Sequence, residues 1–436
     1  MSPAAPARSA PGISPGRACA YAVVRRVFEQ GAYADRALHA EAKDLDPRER
    51  AFAVALAYGT VQRVATLDHV LARLSSRPPE RLDAPVLAAL RLGLMQLLFL
   101  HGTAEHAAVH ESVELAKHSS PAGAGLVNAV LRRATREGAG VLAALDDRTP
   151  QTAAILHSVP VWLAELWWSE LGAERARELL SAVNRPPESA LRVNTLVGDP
   201  AAVASELGVA SRAAPGVAEG LILDGAFDAY ASPLWARGAI MPQARSSMDV
   251  ARALDPQAGQ RVLDLCAAPG AKTTHLAALM GDQGELVAVE RHPGRAQALE
   301  RTLRRMRVSC ATVRVGDAGQ PPEDPAAGFD RVLLDPPCSG LGTLQSRPDL
   351  RWRVNPERIV ELASDQARIL SAAAAATRSG GTLVYSVCTI SRAESDDVID
   401  AFLSAHPDFA ADGPYRRTAP DTDGTDGFFI ARLKRQ

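Results

Sequence analysis

The sequence predicts an α/β protein whose C-terminal half is a doubly wound parallel sheet, preceded by an all-helical domain and a small α+β module. Three observations carry that expectation. Residues 261–276, Arg-Val-Leu-Asp-Leu-Cys-Ala-Ala-Pro-Gly-Ala-Lys-Thr-Thr-His-Leu, read as a short apolar strand, a turn of small residues and the start of a helix. That order is the nucleotide-binding corner of an open sheet. From Pro242 onward strand-like and helix-like segments alternate, which implies parallel strands joined by helices. Ahead of them, apolar residues recur at helical spacing from Arg17 to about Arg148.

Length and composition set bounds. A chain of 436 residues holds two or three domains, and 47% hydrophobic content lets each bury a core. With a net charge of −2, any contact with nucleic acid must rest on local arginine clusters rather than on bulk charge. The five cysteines, Cys19, Cys266, Cys310, Cys338 and Cys388, are odd in number and form no CxxC pair. This argues against a disulfide framework and against a zinc site, and favours reduced thiols in the cytoplasm. The longest apolar run, Val86–Leu100, is too short to span a bilayer and contains Arg91. A monomer with no membrane partner and no metal is expected.

Taken in order, residues 1–16 are rich in Pro, Ala and Ser and read as a disordered tail. Asp46-Pro47-Arg48-Glu49 resembles a capping box with Pro at the first helical position. Phe52, Leu56, Val64, Leu67, Val70, Leu71 and Leu74 then recur at helix-like spacing. Further helices are expected over Val86–Leu100, near His106–His118 and from about Gly125 to Arg136. Arg132, Arg133 and Arg136 sit together at the end of the last. They suit a solvated C-terminal turn that complements the helix dipole, or a phosphate-contacting patch. Tyr58-Gly59-Thr60-Val61, the helix Leu87–Leu100 and Val127-Asn128-Ala129-Val130-Leu131-Arg132 resemble the NusB-like RNA-binding domain found in front of bacterial ribosomal RNA methyltransferases. That resemblance gives the arginines an RNA role to be weighed against the solvated face. Residues 149–184 read as a helical connector. Its Trp162, Trp167 and Trp168 fit core packing better than base stacking. Short strands at Leu191–Thr195 and Gly220–Leu223 flank a helix at Pro200–Leu207, a small α+β module placed to guide a substrate.

In the C-terminal domain strands are expected near 261–265, 285–290, 311–315, 330–334 and 382–387, with Gly427–Leu433 as a late edge strand. Helices are expected near 272–280, 293–306, 356–376 and 392–403. Ligands of such sheets bind at the carboxyl ends of the strands, where the strand order reverses. Three acids fall at such ends: Glu290, Asp317 and Asp335. Glu290, twenty residues after Gly270, suits a ribose diol, and Asp317 an adenine amino group. The Cys266–Lys272 loop has one Gly, so it fits neither GxGxxG nor a P-loop. An adenosine without phosphates, as in S-adenosyl-L-methionine, fits the acids and needs no phosphate cradle.

Two stretches bear on the reaction: Asp335-Pro336-Pro337-Cys338-Ser339-Gly340-Leu341-Gly342-Thr343, followed by Arg347–Trp352, and Tyr385-Ser386-Val387-Cys388-Thr389. A single Cys after a strand is more often a small buried hydrophobe than a nucleophile. Two of them on the cofactor edge, with Lys272 to favour a thiolate, suit covalent catalysis. Methylation of a pyrimidine at ring carbon 5 needs that inventory: a thiolate to add at carbon 6, an acid near nitrogen 3, and a group that assists elimination.

These stretches, with Gln243–Met248 and Gly427–Leu433, resemble the RsmB/NOP (Sun) family of RNA cytosine-5 methyltransferases. The resemblance implies a Rossmann-like methyltransferase domain over 241–436, behind a NusB-like domain at 17–148 and a connector with α+β module at 149–240. It implies that Cys388 is the nucleophile, that Cys338 assists product release, and that Asp335 and Lys272 contact the base. Cys266, Ala267, Ala268, Pro269, Gly270, Ala271, Lys272, Glu290, Asp317 and Asp335 would bind S-adenosyl-L-methionine, with Arg295 as a further candidate. The substrate would be locally single-stranded ribosomal RNA, since the base must be unstacked. Two departures stand out. Ala271 replaces a usual Gly, which matters if that residue needs positive φ. Pro336 replaces a usual Ala or Val, so that Asp-Pro-Pro echoes amino-group methyltransferases, although Cys338 stands where those carry an aromatic. A non-catalytic RNA-binding assembly factor is the remaining alternative.

Overall fold

The computed structural model describes residues 12–320 and 328–436. The chain divides into two compact units. One runs to Asn184 and includes Ser346–Arg353; the other comprises Arg185–Gln345 and Val354–Gln436.

The first unit is helical, with major helices at Pro15–Gln30, Pro47–Gln62, Val64–Leu74, Ala84–Phe99, Glu105–Ser119 and Ala124–Ala143, then Pro150–Leu156, Val161–Leu171 and Ala173–Ala182. Its first helix begins at Pro15, so the last residues of the expected tail are ordered, and Ile13 is already buried. Residues 1–11 of that tail lie outside the described residues. Asp46 caps its helix, accepting from the N–H groups of Arg48 and Glu49 at 2.9 Å. Glu49 does not reach back as a capping box would. It accepts instead from the Gly16 N–H at 2.6 Å, tying the first helix to the third. The apolar helix Ala84–Phe99 runs through the core, with Leu90, Leu92 and Leu94 fully buried. Trp167 is also fully buried, in keeping with packing rather than base stacking.

The arginine cluster departs from one of its two readings. Its helix continues to Ala143, so Arg132, Arg133 and Arg136 are exposed in mid-helix and do not complement the end of their own helix; Arg133 instead donates to the carbonyl of Leu74, the last residue of another helix, at 3.3 Å. The segment Ser346–Arg353 belongs structurally to the helical unit although it follows the Cys338 loop in sequence. Arg351 is fully buried there. Its Nη1 donates to the Ser158 carbonyl at 3.0 Å, to Asn184 Oδ1 at 3.0 Å and to the Gln62 carbonyl at 3.3 Å. Trp352 Nε1 donates to the Val61 carbonyl at 2.7 Å.

The second unit contains two sheets. The smaller, in order β2-β3-β1-β4, is antiparallel where its pairings are resolved: β1 (Ala190–Val193), β2 (Ser211–Ala214), β3 (Val217–Leu223) and β4 (Ile240–Pro242). The larger is formed by β5 (Arg261–Leu265), β6 (Glu285–Glu290), β7 (Ala311–Val315), β8 (Phe329–Leu334), β9 (Thr377–Val387), β10 (Phe409–Ala411), β11 (Arg416–Thr418) and β12 (Phe428–Arg435). Its order is β10-β12-β9-β8-β5-β6-β7, with β11 also on β12. Strands β5 to β9 are parallel, and β12 runs antiparallel to β9. The late strand is therefore not an edge: β10 and β11 cover it. Phe428, Phe429, Ile430 and Ala431 are all buried, so both faces need cover and an exposed edge would waste them. The chain winds from β5 out to β7, then returns to β8 on the other side of β5. The strand order thus reverses between β5 and β8, and ligands of such sheets bind outside the carboxyl ends at that point.

Arg351→Met is expected to destabilise the helical unit by about 3 kcal/mol, because several buried acceptors lose their donor at once. Urea unfolding followed by tryptophan fluorescence would report it; an unchanged midpoint would show that the guanidinium contributes no net stability.

Candidate active site

Strands β5 and β8 end in register beside Tyr385 of β9, with Leu265 opposite Leu334 and Leu334 opposite Tyr385. The next residue on each strand is Cys266, Asp335 and Ser386. Beyond β5 the loop turns sharply. Cys266 has φ 65° and Gly270 φ 105°, both left-handed. Gly270 serves as N-cap of the helix Ala271–Leu279, a conformation that a side chain would strain. Ala271 is the first helical residue and is absent from the positive-φ positions, so its methyl group meets no backbone strain. Ala267 and Ala268 pack inward with Ala288, Leu299 and Leu303.

Two clusters form on this edge. In the first, Lys272 Nζ donates to Asp335 Oδ2 at 2.7 Å, and Ser386 Oγ donates to Asp335 Oδ1 at 2.8 Å. Burial alone would lower the Lys272 pKa. The charge and hydrogen bond of Asp335, with a further contribution from Cys388, outweigh it and raise the value. Lys272 is therefore a fixed cation beside Cys388, and it lies 5.3 Å from the centre of the Phe428 ring. Cys338 Sγ and Cys388 Sγ stand 3.3 Å apart, and both residues are half-buried. The hydrogen bond to Cys388, burial and the nearby Glu394 and Asp335 push the Cys338 thiol well above its usual range. The two cysteine loops meet at Gly342, whose N–H donates to the Cys388 carbonyl at 3.0 Å. A Cβ at Gly342 would sit 2.0 Å from the Gly427 carbonyl oxygen, so only glycine permits that approach.

In the second cluster Cys266, Glu290 and Asp317 line one cavity of about 340 Å³, together with His292, Arg295, Gln366 and Arg368. Glu290 Oε1 accepts from the His292 N–H at 2.9 Å. Arg295 lies 3.4 Å from Glu290 and donates to the Ala268 carbonyl at 2.7 Å. Asp317 accepts from the Gly319 N–H at 2.8 Å and faces Arg368 at 3.6 Å. The Gly319 hydrogen bond and that guanidinium hold its carboxyl below the usual range. Burial pushes the Cys266 thiol up to about 12, which suits a cavity wall rather than a nucleophile.

The candidates thus separate: Lys272, Asp335, Cys338 and Cys388 converge on one cluster, and Cys266, Glu290 and Asp317 on the other. Several participants carry no motif in the sequence. Arg192, fully buried on β1, donates from Nη2 to Thr274 Oγ1 at 2.7 Å and to the Ala271 carbonyl at 3.2 Å, holding the first turn of the Lys272 helix. Gln366 likewise carries none, while Ser386 and Phe428 lie inside stretches already singled out but took on meaning only through their neighbours. Among the described residues no group of three or more His, Cys, Asp or Glu could hold a metal ion, and no helix is long and apolar enough to cross a membrane.

Comparison with known proteins covers nearly the whole chain. Residues 14–136 match the NusB family, residues 159–230 the RsmF/B-like ferredoxin-like domain, and residues 251–434 the 16S rRNA methyltransferase RsmB/F family. The probable ribosomal RNA small subunit methyltransferase B of Synechocystis is 37% identical across 96% of this chain and 99% of its own length. The ribosomal RNA small subunit methyltransferase B of Thermus thermophilus is 36% identical across 89% of each chain. Among solved structures, a methyltransferase homolog protein from Pyrococcus horikoshii is similar with a TM-score of 0.60 and 27% identity, covering 66% of this chain and 99% of that one.

Asp264, buried beneath the loop with Thr273 Oγ1 donating to it at 2.6 Å, has its carboxyl pushed by burial from the ordinary 3.8 to about 7. Between those values the folded protein keeps a proton that the unfolded chain has lost, so this group's contribution to stability falls as pH rises from 3.8 to about 7. In Asp264→Asn, which can still accept from Thr273, the gain in stability over the parent should grow across that window and level off above it. Denaturation at several pH values checks this; a difference independent of pH would contradict it.

Proposed function

Because the chain belongs to the RsmB/F family of small-subunit ribosomal RNA methyltransferases, we propose that it methylates carbon 5 of a cytosine in small-subunit ribosomal RNA through a covalent adduct with Cys388. The methyl donor in this reading is S-adenosyl-L-methionine. The observation that carries the reading is the cysteine pair: two sulfurs 3.3 Å apart, one held as a thiol, with the Lys272 cation beside the other.

The cofactor cavity fits that donor by its chemistry. Glu290 and Asp317 close adjacent parallel strands and present acceptors suited to a ribose diol and an adenine amino group. The loop Cys266–Lys272 supplies a helix N-terminus close by. When bound, the cofactor supplies an electrophilic methyl group. Everything else falls to the protein. Cys388 adds its thiolate to ring carbon 6, forming an S–C bond and shifting electron density to carbon 5, which then takes the methyl. Lys272 stabilises the thiolate before addition and after elimination. Asp335, held by Lys272 and Ser386, faces the nitrogen 3 edge of the ring, where it orients the base. Transfer of the carbon 5 proton to a solvent water restores the double bond and expels the Cys388 thiolate, and the adjacent Cys338 assists that release. The exposed arginines of the helical unit suit phosphate contacts with a locally opened RNA.

Labelled methyl from S-adenosyl-L-methionine should appear as 5-methylcytidine in nuclease digests of small-subunit ribosomal RNA, and Cys388→Ala should abolish it. Label recovered as an N-methylated base, or normal turnover by Cys388→Ala, would exclude the thiolate mechanism.

A further inference from the structure

Glu394 is fully buried on the short turn Arg392–Glu394 that follows β9. Its carboxylate gathers donors from both cysteine loops. Oε1 accepts from the Ser339 N–H at 2.8 Å and from Gln366 Nε2 at 3.1 Å. Oε2 accepts from Ser339 Oγ at 2.5 Å and from Thr389 Oγ1 at 3.2 Å. Ser339 directly follows Cys338, and Thr389 directly follows Cys388. The two hydroxyls also lie 2.8 Å from each other. Gln366, itself fully buried, donates from the same amide to the Pro337 carbonyl at 3.0 Å, on the other side of Cys338. The Tyr385 hydroxyl donates to the Glu394 carbonyl at 2.7 Å, anchoring the turn to β9.

We propose that Glu394 is a positioning residue that clamps the two cysteine loops together and so sets the spacing between Cys338 Sγ and Cys388 Sγ. A carboxylate suits this task because its two oxygens offer about four acceptor sites in one plane. Hydrogen bonds to an ionised acceptor are also stronger than neutral ones. Removing it would leave an N–H, an amide and two hydroxyls buried without their acceptor, and the loops would shift to satisfy them. Two sulfurs acting on one ring tolerate little drift, since a displacement of about 1 Å can cost about 10²-fold in rate. The catalytic meaning of the clamp rests on the covalent reading above, whereas the spacing itself belongs to the protein without RNA.

The test therefore has an arm that needs no RNA. Diamide oxidises two neighbouring thiols to a disulfide, taking up both hydrogens and both electrons as it becomes the hydrazine. In the full-length parent, mass mapping should show rapid formation of a Cys338–Cys388 disulfide. In Glu394→Ala its rate should fall about tenfold, and kcat should fall about 10²-fold with KM for RNA little changed. Glu394→Gln should recover most of both, since its oxygen can serve the Ser339 N–H while the hydroxyls turn to accept from its amide. A folded Glu394→Ala that crosslinks like the parent overturns the clamp, whatever its turnover. Should Glu394→Ala not fold, Ser339→Ala and Thr389→Val each remove one hydroxyl from the clamp and are judged by the same crosslinking rate. Absence of 5-methylcytosine formation by the parent would sink the covalent reading, and the crosslinking contrast would still decide the clamp.

Discussion

The site depends on one constraint, the mutual register of three parallel strands where β5 and β8 end. With Leu265, Leu334 and Tyr385 in register, Cys266, Asp335 and Ser386 must follow side by side. A slip of one residue in β8 would turn the Asp335 side chain to the other face of the sheet. It would also break the Lys272–Asp335 pair. The register is held by fully buried apolar residues on both faces, Leu263, Leu265, Val332, Leu334 and Leu383 on one and Val262, Leu333 and Val384 on the other. Burial on two faces is the usual state of a parallel sheet. The core of the second unit thus acts as the alignment device for its chemistry.

From that edge the site divides by electrostatics. One side ends in two carboxylates, Glu290 and Asp317, each accepting from a backbone N–H, so their charge is oriented by the fold. The other side combines the half-buried Lys272 cation, its partner carboxylate and two sulfurs. Among the cysteines described there, environment separates roles that residue type alone does not: burial suppresses ionisation of Cys266, a neighbouring sulfur suppresses that of Cys338, and a lysine lies beside Cys388.

Much of this was legible in the sequence, for physical reasons. Short apolar runs alternating with helix-like segments placed β5, β6 and β7 and the helix Pro356–Ala376, because buried strands and amphipathic helices constrain composition strongly. Cysteines and acids immediately after apolar strands pointed to the functional edge, because residues there have nowhere else to go. Three things were not legible. The covering of β12 by β10 and β11 depends on long-range pairing by strands of three residues each, which carry almost no periodic signal. Glu394 and Arg192 look like ordinary charged residues, and only their tertiary partners make them parts of the site. The segment Arg347–Trp352 was read with the chemistry because it follows the Cys338 loop, yet its Arg351 is bonded within the helical unit. Chain adjacency was a poor guide there, since a long connection is free to pack elsewhere.

In the proposed reaction Cys388 forms the covalent bond and Cys338 ends it. The most direct measurement is mass mapping of the protein–RNA species that Cys338→Ala accumulates with S-adenosyl-L-methionine and unmodified small-subunit ribosomal RNA. The expected species is a nucleotide, already carrying the methyl group, attached to the peptide that contains Cys388. Attachment to any other cysteine, or efficient methylation by Cys338→Ala with no adduct at all, would contradict it.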